Sequence, residues 1–146
     1  MRRLSATALA IAFATTVVAG CGGGGTAKGG SAVAFVHRIT IEFSRGQSGR
    51  LWESLVPSER AVVSKQRFVA CRSNTGFRLR TFKVLETYDE SVDVDGRETP
   101  STAVTVQVTS DDGVTTATMH AVRVSGAWRW MLQPSELAAY SAGRCP

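Results

Sequence analysis

The spacing of apolar and polar residues changes once along this chain, near Arg80. Between Ser31 and Gly46, the residues Val36, Ile39 and Phe43 recur at helical spacing, with Phe35 beside Ile39, while Arg38, Glu42 and Arg45 take another stripe. This predicts an amphipathic helix carrying an Arg38–Glu42 pair one turn apart, with Gly46 as its stop. Ser48 is a candidate cap for a second short helix through Leu51, Trp52 and Leu55, interrupted by Pro57, with a turn over Ser58 to Val63. Ser64 reads as the N-cap of a helix over Lys65 to Cys71, with Val63 and Phe68 placed to staple its start. Ser73 to Gly76 is a loop.

From Arg80 onward the period is two. Phe82, Val84, Glu86 and Tyr88 fall on one face of a strand under simple alternation, and Lys83, Leu85 and Thr87 on the other. Val92 and Val94 alternate with Asp93 and Asp95 before an Asp95-Gly96 turn. Val104, Val106 and Val108 form the next alternation, Asp112-Gly113 is a hairpin signal, and Val114 to Val124 returns. Ser125-Gly126 turns again, and Trp128, Trp130 and Leu132 share a face of the last strand. The last three strands are expected to form an antiparallel meander, with a short helix from Pro134 to Tyr140. Helices first and strands after predict an α+β domain, its helices packed on one face of an antiparallel sheet.

The first thirty residues change where this domain is expected to act. Met1-Arg2-Arg3 is basic, and Leu4 to Gly20 is small and apolar without charge or proline. That is the layout of a secretory signal, and the apolar run is shorter than the ~20 residues of a membrane-spanning helix. Val18-Ala19-Gly20-Cys21 resembles the lipobox of bacterial lipoproteins, with Val18 where leucine is more usual. That resemblance implies diacylation of the Cys21 thiol, cleavage before it, and an exported protein held at the outer face of the cytoplasmic membrane. Two acyl chains suffice for stable anchoring. The alternative is an ordinary signal cut near Gly20 that releases a soluble protein with a free Cys21. Gly22 to Ser31 is glycine-rich and reads as a flexible tether, and Lys28 does not stand where a phosphate-binding loop needs it. The expected organisation is a signal over 1–20, a lipidated cysteine and tether over 21–31, and one domain over 32–146.

Net charge and cysteines sharpen that picture. The whole chain carries +5; without the first twenty residues it has 15 Lys and Arg against 12 Asp and Glu, a net +3. So mild an excess calls for no nucleic acid. The charge is segregated, with a basic run from Arg60 to Lys83 followed by an acidic block from Glu86 to Glu98. These are two solvated faces that attract each other, or a basic surface toward anionic headgroups or wall polymers. The chain has three cysteines. With Cys21 lipidated, Cys71 and Cys145 remain as an even pair in an oxidising compartment and are expected to form a disulfide.

Several stretches carry a narrower likeness. Trp52-Glu53-Ser54-Leu55-Val56-Pro57, Arg60, Val63-Ser64, Phe68-Val69-Ala70-Cys71, Gly126 to Leu132 and the terminal Cys145-Pro146 resemble small actinobacterial lipoproteins of the NTF2-like, cystatin-like superfamily. The resemblance spans roughly Ser31 to Pro146. It implies a cone in which N-terminal helices lie in the concave face of a strongly bent sheet. Superfamily members include isomerases, dehydratases, transport adaptors and domains of cell-wall enzymes, so the likeness leaves activity open.

The motifs that carry chemistry are few. His37 and His120 are the only histidines, and neither belongs to a zinc-binding pattern. Asp93-Val94-Asp95-Gly96 lacks the remaining ligands of an EF-hand, and Gly46-Gln47-Ser48-Gly49-Arg50 lacks the spacing of a nucleophile elbow. No metal or cofactor is called for. Simple alternation puts Glu86, Tyr88 and His120 on the cavity side with Trp128 and Trp130, where a carboxylate and an imidazole can move a proton. A single bulge would reverse that parity. Trp128 and Trp130 are core residues or a ligand platform. The expected function is a non-catalytic, lipid-anchored domain binding a small apolar ligand or an envelope protein. The alternatives are an isomerase- or dehydratase-type enzyme using Glu86, Tyr88 and His120, and an accessory module for cell-wall machinery.

Overall fold

The computed structural model describes residues 31–73 and 76–146. The expected signal, Cys21 and most of the expected tether lie outside the described residues. The element order is α1 (Ala32–Ser44), α2 (Ser48–Glu53), α3 (Pro57–Val62), α4 (Lys65–Cys71), β1 (Leu79–Val94), β2 (Arg97–Ser110), β3 (Gly113–Val124), β4 (Ala127–Trp130) and α5 (Pro134–Ser141). The domain is α+β, with helices followed by an open four-stranded sheet in the order β1-β2-β3-β4, every pair antiparallel.

Local chemistry sets the helix boundaries. The Ser31 hydroxyl accepts from the Ala34 N–H at 3.2 Å and starts α1, whose Phe35, Val36 and Ile39 are buried. Arg38 donates to Glu42 at 2.8 Å on the neighbouring stripe, and that pairing lets Glu42 itself be buried. Ser64 accepts from the Arg67 N–H at 3.3 Å, and the flanking Val63 and Phe68 are both fully buried, as a staple requires. The further turn expected over Ser58 to Val63 is found as the short helix α3, with Pro57 in its first turn where a missing N–H is harmless. Ser48 lies inside α2 rather than capping it; its hydroxyl donates to the Arg72 carbonyl at 3.4 Å.

Two strand connections are turns with both central residues at positive φ, Asp95-Gly96 (59° and 73°) and Ser125-Gly126 (51° and 80°). That conformation matches the twist of a hairpin. The third hairpin pairs Ser110 with Gly113, so Asp111-Asp112 forms its loop and Gly113 is already in β3.

The main core lies between the helices and one face of the sheet. Phe35, Ile39, Leu51, Leu55 and Phe68 meet Val104, Val106, Ala121 and Trp130 there, with Leu132 and Tyr140 closing it from the C-terminal side. Trp130 is held at both ends: its ring N–H donates to the Leu51 carbonyl at 2.9 Å, and its backbone bonds Ser54 and Val56. Residues 54–56 therefore cover the outer edge of β4. A smaller cluster of Val56, Val94 and Val122 sits apart from the main core. Cys71 and Cys145 form a disulfide with Cα atoms 5.4 Å apart, fastening the C-terminus to the end of α4. No helix among the described residues is long and apolar enough to cross a membrane.

Candidate functional site

An open cleft of about 510 Å³ lies between α1, the start of α5 and the helix-covered face of the sheet. Its position follows from the strand pattern. Val106 and Val108 alternate toward the helices on β2, and their partners Ala117 and Thr115 on β3 share that face. Phe43 lines it from α1, and Phe77, Met119, Trp130 and Met131 complete the apolar lining. The volume lies within the range of small-molecule sites, and the lining is mainly apolar.

The lining also carries Thr40, Ser110, Asp112, Thr115, Thr118, Gln133 and Glu136, most of them engaged in hydrogen bonds. The Thr40 hydroxyl donates back to the Val36 carbonyl at 2.9 Å. Glu136 forms an ion pair with Arg72 and also accepts from the Gln133 N–H at 3.0 Å. The Arg72 guanidinium lies over the rings of Phe43 at 5.2 Å and Phe68 at 4.9 Å, so the aromatic wall and the carboxylate share one cation. Asp112 lies in the hairpin loop at the rim. Such a site can desolvate an apolar body.

The register separates the sequence-predicted proton-transfer group from this cleft. Val84 pairs with Val106, but Glu86 pairs with Thr105, so one extra residue is accommodated at Leu85. That bulge carries Glu86 and Tyr88 to the face opposite Phe82 and Val84. Tyr88 and His120 both pair with Ala103, so Glu86, Tyr88 and His120 do share one face. It is the opposite face from the tryptophans, because Trp128 pairs with Arg123 and Trp130 with Ala121. The expectation that all five line one cavity is therefore corrected. Glu86 and Tyr88 are exposed, and the His120 Nδ1 is hydrogen-bonded with the Glu90 carboxyl across β2. Trp130 lines the cleft, whereas Trp128 packs on Phe35 with ring centroids 6.3 Å apart, under the Arg123 guanidinium.

One titratable group lies outside every sequence expectation. Glu59 on α3 is buried, and its carboxylate accepts from the Leu132 N–H at 2.9 Å. Desolvation pushes its pKa up to about 7; the Leu132 hydrogen bond opposes this and the nearby Glu136 charge adds to it. Glu59 is not among the residues that line the cleft; it holds the Leu132 backbone, next to the lining residues Met131 and Gln133. Phe43, Phe77 and Met119 were also missed. Phe43 stood in the α1 apolar stripe and Met119 in the returning stretch that is β3, while Phe77 precedes β1; which helix covers which strand is a tertiary fact. Among the described residues, no three His, Cys, Asp or Glu side chains gather as a metal site.

No family model matches this chain, and no curated protein matches it.

Proposed function

We propose that this chain is an exported, lipid-anchored, non-catalytic domain of NTF2-like type that holds a small apolar ligand between its helices and its sheet. The observation that carries the reading is the cleft itself: about 510 Å³, walled by Phe43, Phe77, Val106, Val108, Met119 and Trp130, with Glu136, one of its two acidic residues, paired to Arg72 and the other, Asp112, in the exposed hairpin loop. A ligand entering it exchanges water for aromatic and aliphatic surface, the ordinary source of affinity for an apolar molecule. The signal-like start and Cys21 support the address, and Gly22 to Ser31 supplies reach from the membrane. The NTF2-like reading rests on the sequence likeness and on helices followed by an antiparallel sheet.

An isomerase- or dehydratase-type mechanism is disfavoured by geometry. It needs Glu86, Tyr88 and His120 around one substrate space, and these residues lie on the sheet face away from the cleft. Native mass spectrometry of the full chain purified from its own envelope tests the proposal. A retained apolar species that disappears when Ala117→Phe fills the cleft supports it. A mass equal to the bare protein from every preparation counts against it.

A further inference from the structure

The β1 edge is a second surface with a defined fit. This 16-residue strand pairs with β2 on one side only, and no other described strand lies beside it. Edges of such length are usually guarded by charges and bulges. β1 has both, yet their arrangement is complementary to itself. Arg80 and Lys83 precede the midpoint between Val84 and Leu85; Glu86 and Asp89 follow it at mirrored spacings.

The bulge at Leu85 completes the match. Residues three apart in an uninterrupted strand fall on opposite faces. Here Lys83 pairs with Gln107 and Glu86 with Thr105, and these β2 residues alternate to the same face. Directly opposed residues of an antiparallel pair also share a face. A second copy turned about a two-fold axis at that midpoint therefore sets Lys83 against the second copy's Glu86, a contact that occurs twice; Arg80, which opposes Asp89 by count, is itself the extra residue at a second register shift between Leu79 and Thr81. Parallel pairing in the same register would set like charges together instead. Tyr88, 44% exposed, would lie against the second copy's Thr81, which shares its face, and Leu85, 47% exposed, sits at the axis.

Arg80 already pairs with Asp111, and Asp89 accepts from Thr102 at 3.1 Å. Lys83 and Glu86 have no ion-pair partner among the described residues, so they are the discriminating pair.

We propose that two copies of this chain associate antiparallel along β1, across a two-fold axis between Val84 and Leu85. This contact is independent of the cleft. Sedimentation velocity of the full chain across a wide concentration range tests it. The unmodified chain should show a reversible monomer–dimer equilibrium. Lys83→Glu or Glu86→Lys alone should raise the dimer dissociation constant roughly tenfold or more, because each places two like-charge contacts across the axis. The double exchange Lys83→Glu with Glu86→Lys should restore it. A monomer at every concentration overturns the proposal, as does a dimer indifferent to both reversals. Hydrogen exchange on the unmodified chain provides a readout that needs no variant. Amides of residues 81–88 should gain protection as concentration rises, and unchanged protection overturns the proposed edge.

Discussion

Replacing Glu59 with glutamine should stabilise the protein at about pH 8 and leave it nearly unchanged at about pH 4. Glu59 is buried between α3 and the segment after β4, and among the described residues no cation pairs with it. Its folded-state pKa of about 7 lies above the ordinary value of 4.5, mainly through desolvation. The folded state therefore holds the proton more tightly than the unfolded state. Its stabilising contribution is fully present below about pH 4.5 and is lost as pH rises through about 7. The gap between those two values corresponds to roughly 3 kcal/mol at most. Glutamine keeps the shape and the carbonyl oxygen that Leu132 needs, and removes only the charge. Urea unfolding of both proteins across this pH range measures the difference directly. Groups that titrate in both proteins contribute to both curves and largely cancel in the subtraction. A stability difference that is constant with pH would refute the assignment of a buried, uncompensated carboxylate.

Three further outcomes follow from particular contacts. Replacing Cys71 and Cys145 together by serine should lower stability by about 4 kcal/mol in chemical denaturation, from release of a loop whose ends are 74 residues apart. Trp130→Phe should destabilise by about 1 kcal/mol in the same assay, because the indole N–H no longer donates to the Leu51 carbonyl, which keeps its 3.1 Å bond from the Ser54 N–H. Labelled palmitate should enter the chain in its native host and be absent from Cys21→Ala; equal labelling of both would remove the lipid anchor from the proposed function.

Much of the fold was legible because local signals and burial agree. The α1 stripe, the Ser64 cap with its Val63–Phe68 staple, and the paired positive-φ turns act within a few residues, and each is found where the pattern placed it. The expected Cys71–Cys145 link also forms. The main failure was parity in β1. Alternation carries a residue's face forward only while the strand is uninterrupted, and the extra residue at Leu85 moved Glu86 and Tyr88 across the sheet. Nothing local distinguishes that leucine from its neighbours; the bulge is defined by the register with β2. His120 and Trp130 were separately assigned to sound strand patterns, but the β3–β4 register that sets them on opposite faces lies in the pairing. Glu59 was invisible for a related reason. It sits in a short polar stretch, Ser58-Glu59-Arg60, and only the chain returning at Leu132 buries it.

The central claim is that the cleft beside Phe43 and Trp130 takes an apolar ligand, and equilibrium binding of a fluorescent fatty acid tests it most directly. The full chain should bind saturably, one molecule per chain. Ala117→Phe should weaken binding roughly tenfold or more by filling the space, an order consistent with loss of most of the buried contact. Glu86→Gln and His120→Ala, on the other face of the sheet, should leave it unchanged. Binding that is absent, or that survives Ala117→Phe but is lost with His120→Ala, would contradict the account and move the site to the opposite face.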